Sequence, residues 1–148
     1  MVSIPIDDRI ALQDLMTDYC YAVDRLDDID GLLALFTPDA VLDFSAIGLP
    51  LMKGHGEIRR FFAAAFAEMS HHAHYISNFR PIRYDGDTGA MTAYVTGLGR
   101  SKDGNTVDVK VQYTFDAVRT ADGWKARGYS MFSMMPLPAS LAEIHGEH

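Results

Sequence analysis

The sequence predicts an α+β fold, with helices first and an antiparallel meander second. Three observations carry that expectation. Apolar residues recur at helix period through Ile10, Leu12, Leu15, Met16, Tyr19, Val23 and Leu26. The turn signals DGDTG, KDGN and ADG divide the second half at hairpin spacing. Between the last two, Val107, Val109, Val111, Tyr113, Phe115 and Ala117 alternate with Asp108, Lys110, Gln112, Thr114 and Asp116, as in a strand with one buried face.

Each element has a local reason. Pro5 suits a helix start, and Asp7 and Asp8 suit the positive end of the helix dipole. DDID can cap a second short helix running through GLLALF, which TPD ends. AVLDF reads as a short strand. Gly54 and Gly56 break the chain before EIRRFFAAAFAEM, a third helix with Ile58, Phe61, Phe62, Ala65, Phe66 and Met69 on or near one face. Strands are expected over 72–84, 89–101, 106–119 and 123–134. Such long strands must twist and curl, and helices on the concave side of a curled sheet can enclose a pocket.

Composition narrows the function. The 148 residues suit one domain around one core. With 48% apolar and 22% charged residues the chain reads as a globule, not as a disordered segment. FFAAAF is far too short to span a bilayer, and no basic region precedes an apolar stretch at the N-terminus. A cytoplasmic protein with no membrane partner is therefore expected. One cysteine, Cys20, excludes an internal disulfide and a cysteine-based zinc cluster. A net charge of −7 with scattered basic residues argues against nucleic acid as a partner.

The stretch HHAHYISN, residues 71–78, places three of the six histidines in four positions. On a strand, His72, His74, Ile76 and Asn78 share one face, and His71, Ala73, Tyr75 and Ser77 the other. His71 and His72, at the strand entrance, are expected to be solvated. A metal site would pair His72 with His74 and a carboxylate of the first helix, but His-x-His is a weak signal and no metal is assigned. His74 lies inside the strand. It is either a core histidine bonded to a backbone carbonyl or a general base, and a base needs an orienting acid. Asp24 is a candidate acid: it follows the buried-stripe residue Val23 near the end of the first helix, with Cys20 and Tyr21 on its side. Otherwise Asp24 is a surface acid paired with Arg25. Asp27 and Asp28 read as caps of the next helix.

The order of Y-x4-D-R-x-D, LLALFTPDAVLDF, KGHGEIRRFF, HYISN and DGWKARGY, from roughly residue 8 to 135, resembles the SnoaL-like family of the nuclear-transport-factor-2-like superfamily. The resemblance implies a cone, a curved antiparallel sheet around a pocket closed by three helices (a cystatin-like α+β barrel). One branch, which includes scytalone dehydratase, hexachlorocyclohexane dehydrochlorinase and bile-acid 7α-dehydratase, carries an Asp–His pair at positions matching Asp24 and His74. Tyr19, five residues before Asp24, matches a tyrosine of the bile-acid enzyme, where the dehydrochlorinase has a lysine that this chain lacks. The arginine that two of these enzymes carry in the last strand has no counterpart in GYSMFSMM. Arg127 lies slightly earlier, and Tyr129 or Ser130 could donate a weaker hydrogen bond.

These readings together imply a cofactor-independent lyase, a dehydratase, or an isomerase. Asp24 would orient His74, His74 would take a carbon-bound proton, and Tyr19 and Asn78 would hold the substrate's oxygen. Tyr129, Met131, Phe44 and Phe62 are expected to bind a small apolar, polycyclic or aromatic ligand. Phe132, Met134, Met135, Phe61, Phe66 and Met69 are further candidates for its lining. The alternatives are an Asp-only enzyme of polyketide-cyclase or ketosteroid-isomerase type, and a binding or subunit module of the same fold. By resemblance the chain forms a homodimer or higher homo-oligomer. Its C-terminal segment either closes the pocket or extends that interface.

Overall fold

A computed structural model of the chain describes residues 2–146. In order, α1 spans Ile6–Arg25, α2 Ile29–Leu33, β1 Phe36–Asp43, β2 Leu51–Lys53, α3 Gly54–Glu68, β3 Met69–Tyr84, β4 Thr88–Ser101, β5 Thr106–Thr120, β6 Gly123–Ser133 and α4 Ala139–His145. The strands form a six-stranded sheet in the order β2-β1-β6-β5-β4-β3. Its four long strands pair antiparallel with their chain neighbours, as the turn signals require. The three hairpin glycines, Gly86, Gly104 and Gly123, all sit at positive φ.

Two features of the sheet and one added helix depart from the expected antiparallel barrel with three helices. β1 runs parallel to β6, so the sheet is mixed. It is also open, ending at β2 and β3. A fourth helix, α4, follows the last strand. The segment TPD does not end a helix. It lies inside β1, where Phe36 pairs with Ala126 but Val41 pairs with Gly128. Five residues thus advance against two, and Pro38, which cannot donate a ladder bond, falls in that irregular stretch.

The core lies between the inner face of the sheet and helices α1 and α3. From α1, Leu12, Leu15, Met16, Tyr19, Cys20 and Val23 are buried. Ile10, expected in this stripe, is 49% exposed. The helix starts after Pro5, whose carbonyl accepts from Arg9 N at 2.9 Å. It stops at Leu26, which takes a left-handed φ of 64°. Of the two predicted caps only Asp28 caps α2, accepting from Gly31 N at 2.8 Å, while Asp27 pairs with Arg25 at 3.1 Å. The pairing of Arg25 with Asp27 leaves Asp24 available to another partner. In β5 every inward residue that the alternation picks out, from Val107 to Ala117, is buried or partly buried.

Candidate functional site

The C-terminal turn of α1 docks on β3 through two histidines. His72 Nδ1 donates to the carbonyl of Val23 at 2.9 Å. That carbonyl is one of the last four of the helix, which have no intrahelical donor. One residue on, Asp24 Oδ2 accepts from the backbone N–H of His74 at 3.0 Å, and Asp24 Oδ1 lies 2.6 Å from His74 Nδ1. The carboxylate is therefore held by both the backbone and the ring of one residue, fifty positions away. Its side chain is 28% exposed and that of His74 16%.

His72 and His74 share a face, as strand alternation requires, and their rings meet edge to face at 5.6 Å. Space for them comes from the next strand. His74 pairs with Gly97 and His72 with Gly99. A Cβ at Gly97 would lie 3.3 Å from both Cδ2 and Nε2 of His74, and one at Gly99 would lie 3.2 Å from Cδ2 of His72. Each imidazole thus lies over a glycine, a close approach that glycine within a strand permits.

Both rings border a cavity of about 110 Å³. Its walls come from α1 (Tyr19, Val23), α3 (Phe61, Phe62, Ala65), β5 (Val107, Val109, Val111, Tyr113) and β6 (Met131), with Phe44 and Leu98. The C-terminal helix α4 adds Leu141 and His145, so that segment forms part of the wall. Asp24 is not among the lining residues; it stands behind His74.

Tyr19 sits at the centre of an aromatic cluster with Phe36, Phe62, Tyr113, Phe115 and Tyr129. Burial pushes the phenols of Tyr19, Tyr113 and Tyr129 well above the ordinary tyrosine range. They stay protonated and able to donate at any ordinary pH. The hydroxyls of Tyr19 and Tyr113 lie near that of Tyr129, yet Tyr129 Oη makes no hydrogen bond of good geometry. Burial likewise lifts the Cys20 thiol to about 12.

The structure places Asp24, His74 and Tyr19 together with Phe44, Phe62 and Met131, and it moves two expected contacts away. Asn78 is exposed and does not face the cavity. It takes a φ of 57° where the β3–β4 register shifts between Ser77 and Arg80, and its side chain accepts from Ser77 Oγ. A bulge adds a residue and inverts the alternation, so Phe79 packs inward in its stead. Tyr129 is buried beneath Tyr19, packed on Phe115 at 4.5 Å, and belongs to the core rather than the lining. Tyr113 supplies the second phenol on the wall.

Other side chains fall elsewhere than expected. His72 lines the cavity instead of being solvated. Phe132, Met134 and Met135 are exposed, as are Tyr21 and Ser130. Arg127 points away from the cavity and pairs with Asp116 at 3.1 Å. No group of three His, Cys, Asp or Glu side chains is placed to hold a metal among the described residues.

The architecture defines a class: an α+β cone whose cavity is fronted by a histidine backed by a carboxylate. The chain belongs to the SnoaL-like domain family, whose model matches residues 5–129. An uncharacterized protein of Mycobacterium tuberculosis (strain ATCC 25618 / H37Rv) is 32% identical over 124 residues, 81% of each chain. A crystal structure from Novosphingobium aromaticivorans, provisionally described as an aromatic ring hydroxylase, is 53% identical with a TM-score of 0.91, covering 92% of this chain and 95% of that one. A hexachlorocyclohexane dehydrochlorinase from Novosphingobium barchaimii LL02 is 20% identical with a TM-score of 0.75, covering 90% and 92%, a likeness of fold alone. Among the described residues no helix is long and apolar enough to cross a membrane.

Proposed function

We propose that the protein is a cofactor-independent lyase or isomerase in which His74, oriented by Asp24, removes a carbon-bound proton from a small apolar ligand. The observation that carries this reading is the 2.6 Å contact between Asp24 Oδ1 and His74 Nδ1, with the same imidazole on the cavity wall. A carboxylate on Nδ1 fixes the proton there, leaves Nε2 as the base, and stabilises the imidazolium once Nε2 is protonated. In an elimination the C–H electron pair becomes the new double bond as the carbon–oxygen bond breaks. The departing hydroxide takes the proton from His74 and leaves as water. In an isomerisation the imidazolium returns the proton to a different carbon. Tyr19 and Tyr113 donate to the oxygen on which charge develops, the task first assigned to Tyr19 and Asn78.

The position of Asp24 supports the pair over a lone aspartate base. Both its oxygens are committed to His74, and it stands off the wall. The cavity is close to the size of one ring, since an apolar cavity of roughly 150 Å³ accommodates benzene. A monocyclic ligand therefore replaces the polycyclic one as the preferred substrate. The name of the 53%-identical structure also points to an aromatic ligand, although it denotes a different reaction.

A β-hydroxycyclohexanone in deuterium oxide, followed by proton NMR, provides the test. The expected result is enone formation or deuterium entry beside the carbonyl, reduced ~10²- to 10⁴-fold in His74→Ala. Full activity in His74→Ala would favour the Asp-only mechanism, and tight binding without exchange a binding module. The reading includes a single cytoplasmic domain that assembles as a homodimer or higher homo-oligomer through the outer face of its sheet.

A further inference from the structure

Three imidazoles line the cavity, and of the two that the proposed reaction does not use, His145 of α4 and His72 of β3, His72 lies edge to face with His74. His72 differs from His74 in what stands behind its ring. The partner of its Nδ1, at 2.9 Å, is the Val23 carbonyl, which has no proton to give. Nδ1 must therefore carry the hydrogen, and Nε2 of the neutral ring is a bare acceptor. Among the described residues no protein group bonds to Nε2, and the ring lies on the cavity wall. The two rings thus share one tautomer but not one task. A carboxylate behind His74 rewards a positive charge. Behind His72 there is only a neutral carbonyl, and burial together with the neighbouring His74 pulls its pKa below the usual histidine value.

The rest of the lining sharpens the consequence. Apart from the histidines and the phenols of Tyr19 and Tyr113, the walls named above are hydrocarbon. The phenols can donate, whereas His72 Nε2 can only accept. A hydrocarbon ligand leaves that acceptor desolvated and unpaired, which costs more than a missing contact.

We propose that His72 is a specificity-determining residue: its Nε2 accepts a hydrogen bond from a ligand hydroxyl, so the cavity selects hydroxyl-bearing, single-ring compounds over their hydrocarbon analogues. This deepens the function proposed above by naming its substrate class, and it rests on that reading only for which carbon reacts.

The probes are phenol and toluene, which differ by a hydroxyl in place of a methyl group. Binding to the full-length protein is measured by titration, with ¹⁵N-histidine NMR reporting on each ring nitrogen. The expected result is that phenol binds about tenfold or more tightly than toluene. His72→Phe abolishes this preference while still binding toluene. In the unmodified protein phenol moves the His72 Nε2 resonance away from its bare-nitrogen position and toluene does not. That signal decides the matter if a variant fails to fold. Equal affinities, a preference that survives in His72→Phe, or no binding of either probe would overturn the proposal. Binding is read without turnover. A protein that selects phenol but never exchanges a carbon-bound proton would refute the catalytic reading and keep this one, and an active enzyme indifferent to the hydroxyl would do the reverse.

Discussion

For single residues, the partner on Nδ1 decides what each imidazole can do. His74 has a carboxylate there and His72 a carbonyl. Asp24→Asn removes the charge that stabilises an imidazolium and sets an amide NH2 against one of the two His74 donors that the carboxylate accepts from. Turnover of the hydroxyketone is expected to fall by ~10²-fold or more, and stability by about 1–3 kcal/mol, as stopped assays and chemical denaturation will report. The depressed pKa of His72 has a defined sign. Its folded value lies below the unfolded 6.5, so its contribution to stability is complete above that pH and is lost as pH falls through 6.5 toward the folded value. Melting temperatures between pH 7 and 5 should therefore drop less in His72→Phe than in the parent. Asp8 has the same sign, although there it is the charged form that the fold favours. Tyr84 first, then Arg119, hold its carboxyl below the ordinary value by hydrogen bonding, so its contribution disappears only in stronger acid, below 3.8. Cys20, buried and with its thiol near 12, should resist alkylation at pH 8 until the protein unfolds.

At the level of elements, the site is made by one face of β3 pressed against two glycines of β4. A methyl group at Gly97 would stand 3.1 Å from Val109 Cγ2 as well as against His74, on backbone that a full ladder holds in place. Gly97→Ala is therefore expected to cost about 1–3 kcal/mol and to tilt the imidazole off Asp24, lowering activity more than stability. Chemical denaturation and turnover measured on the same variant separate the two effects. This element also marks where the sequence could and could not be read. The alternation that puts His72 and His74 on one face was legible, as was the position of Asp24 beside the buried stripe. The purpose of Gly97 and Gly99 was not, because it depends on which strand lies alongside β3 and in which register. Asn78 was misplaced for a related reason. Its bulge is set by the pairing with β4, and Asn is one of the few residues that tolerate a left-handed φ at modest cost.

For the whole molecule, the outer face of the sheet has its own pattern. Register sets Tyr94 opposite Ser77 and Gln112, and Gln112 opposite Phe132, with Tyr75 and Met134 on the neighbouring rows. Tyr75, Tyr94, Phe132, Met134 and Met135 are all exposed there. Apolar groups gathered on one face mark an interaction surface more often than those scattered singly. Light scattering coupled to gel filtration should give a dimer or larger assembly, and Phe132→Glu should shift it to the monomer without touching the cavity. A monomeric parent protein would remove this part of the reading.

The sequence by itself determined the three helices of the first half, the four long strands, their order and the two faces of those strands, but not β2, α4 or the start of β1, because the elements it determined follow from periodicity, turn chemistry and capping, which act over a few residues. It also determined that Asp24 borders the buried face of α1 and that His74 lies on the same strand face as His72. Tertiary structure alone decided that Asp24 and His74 touch, that His74 borders a cavity of about 110 Å³, that Tyr113 rather than Tyr129 reaches its wall, and that His72 turns its Nδ1 to a helix carbonyl. Those outcomes depend on angles and registers between elements far apart in the chain, and a difference of one residue or a few ångströms there sends the same side chain to a different environment.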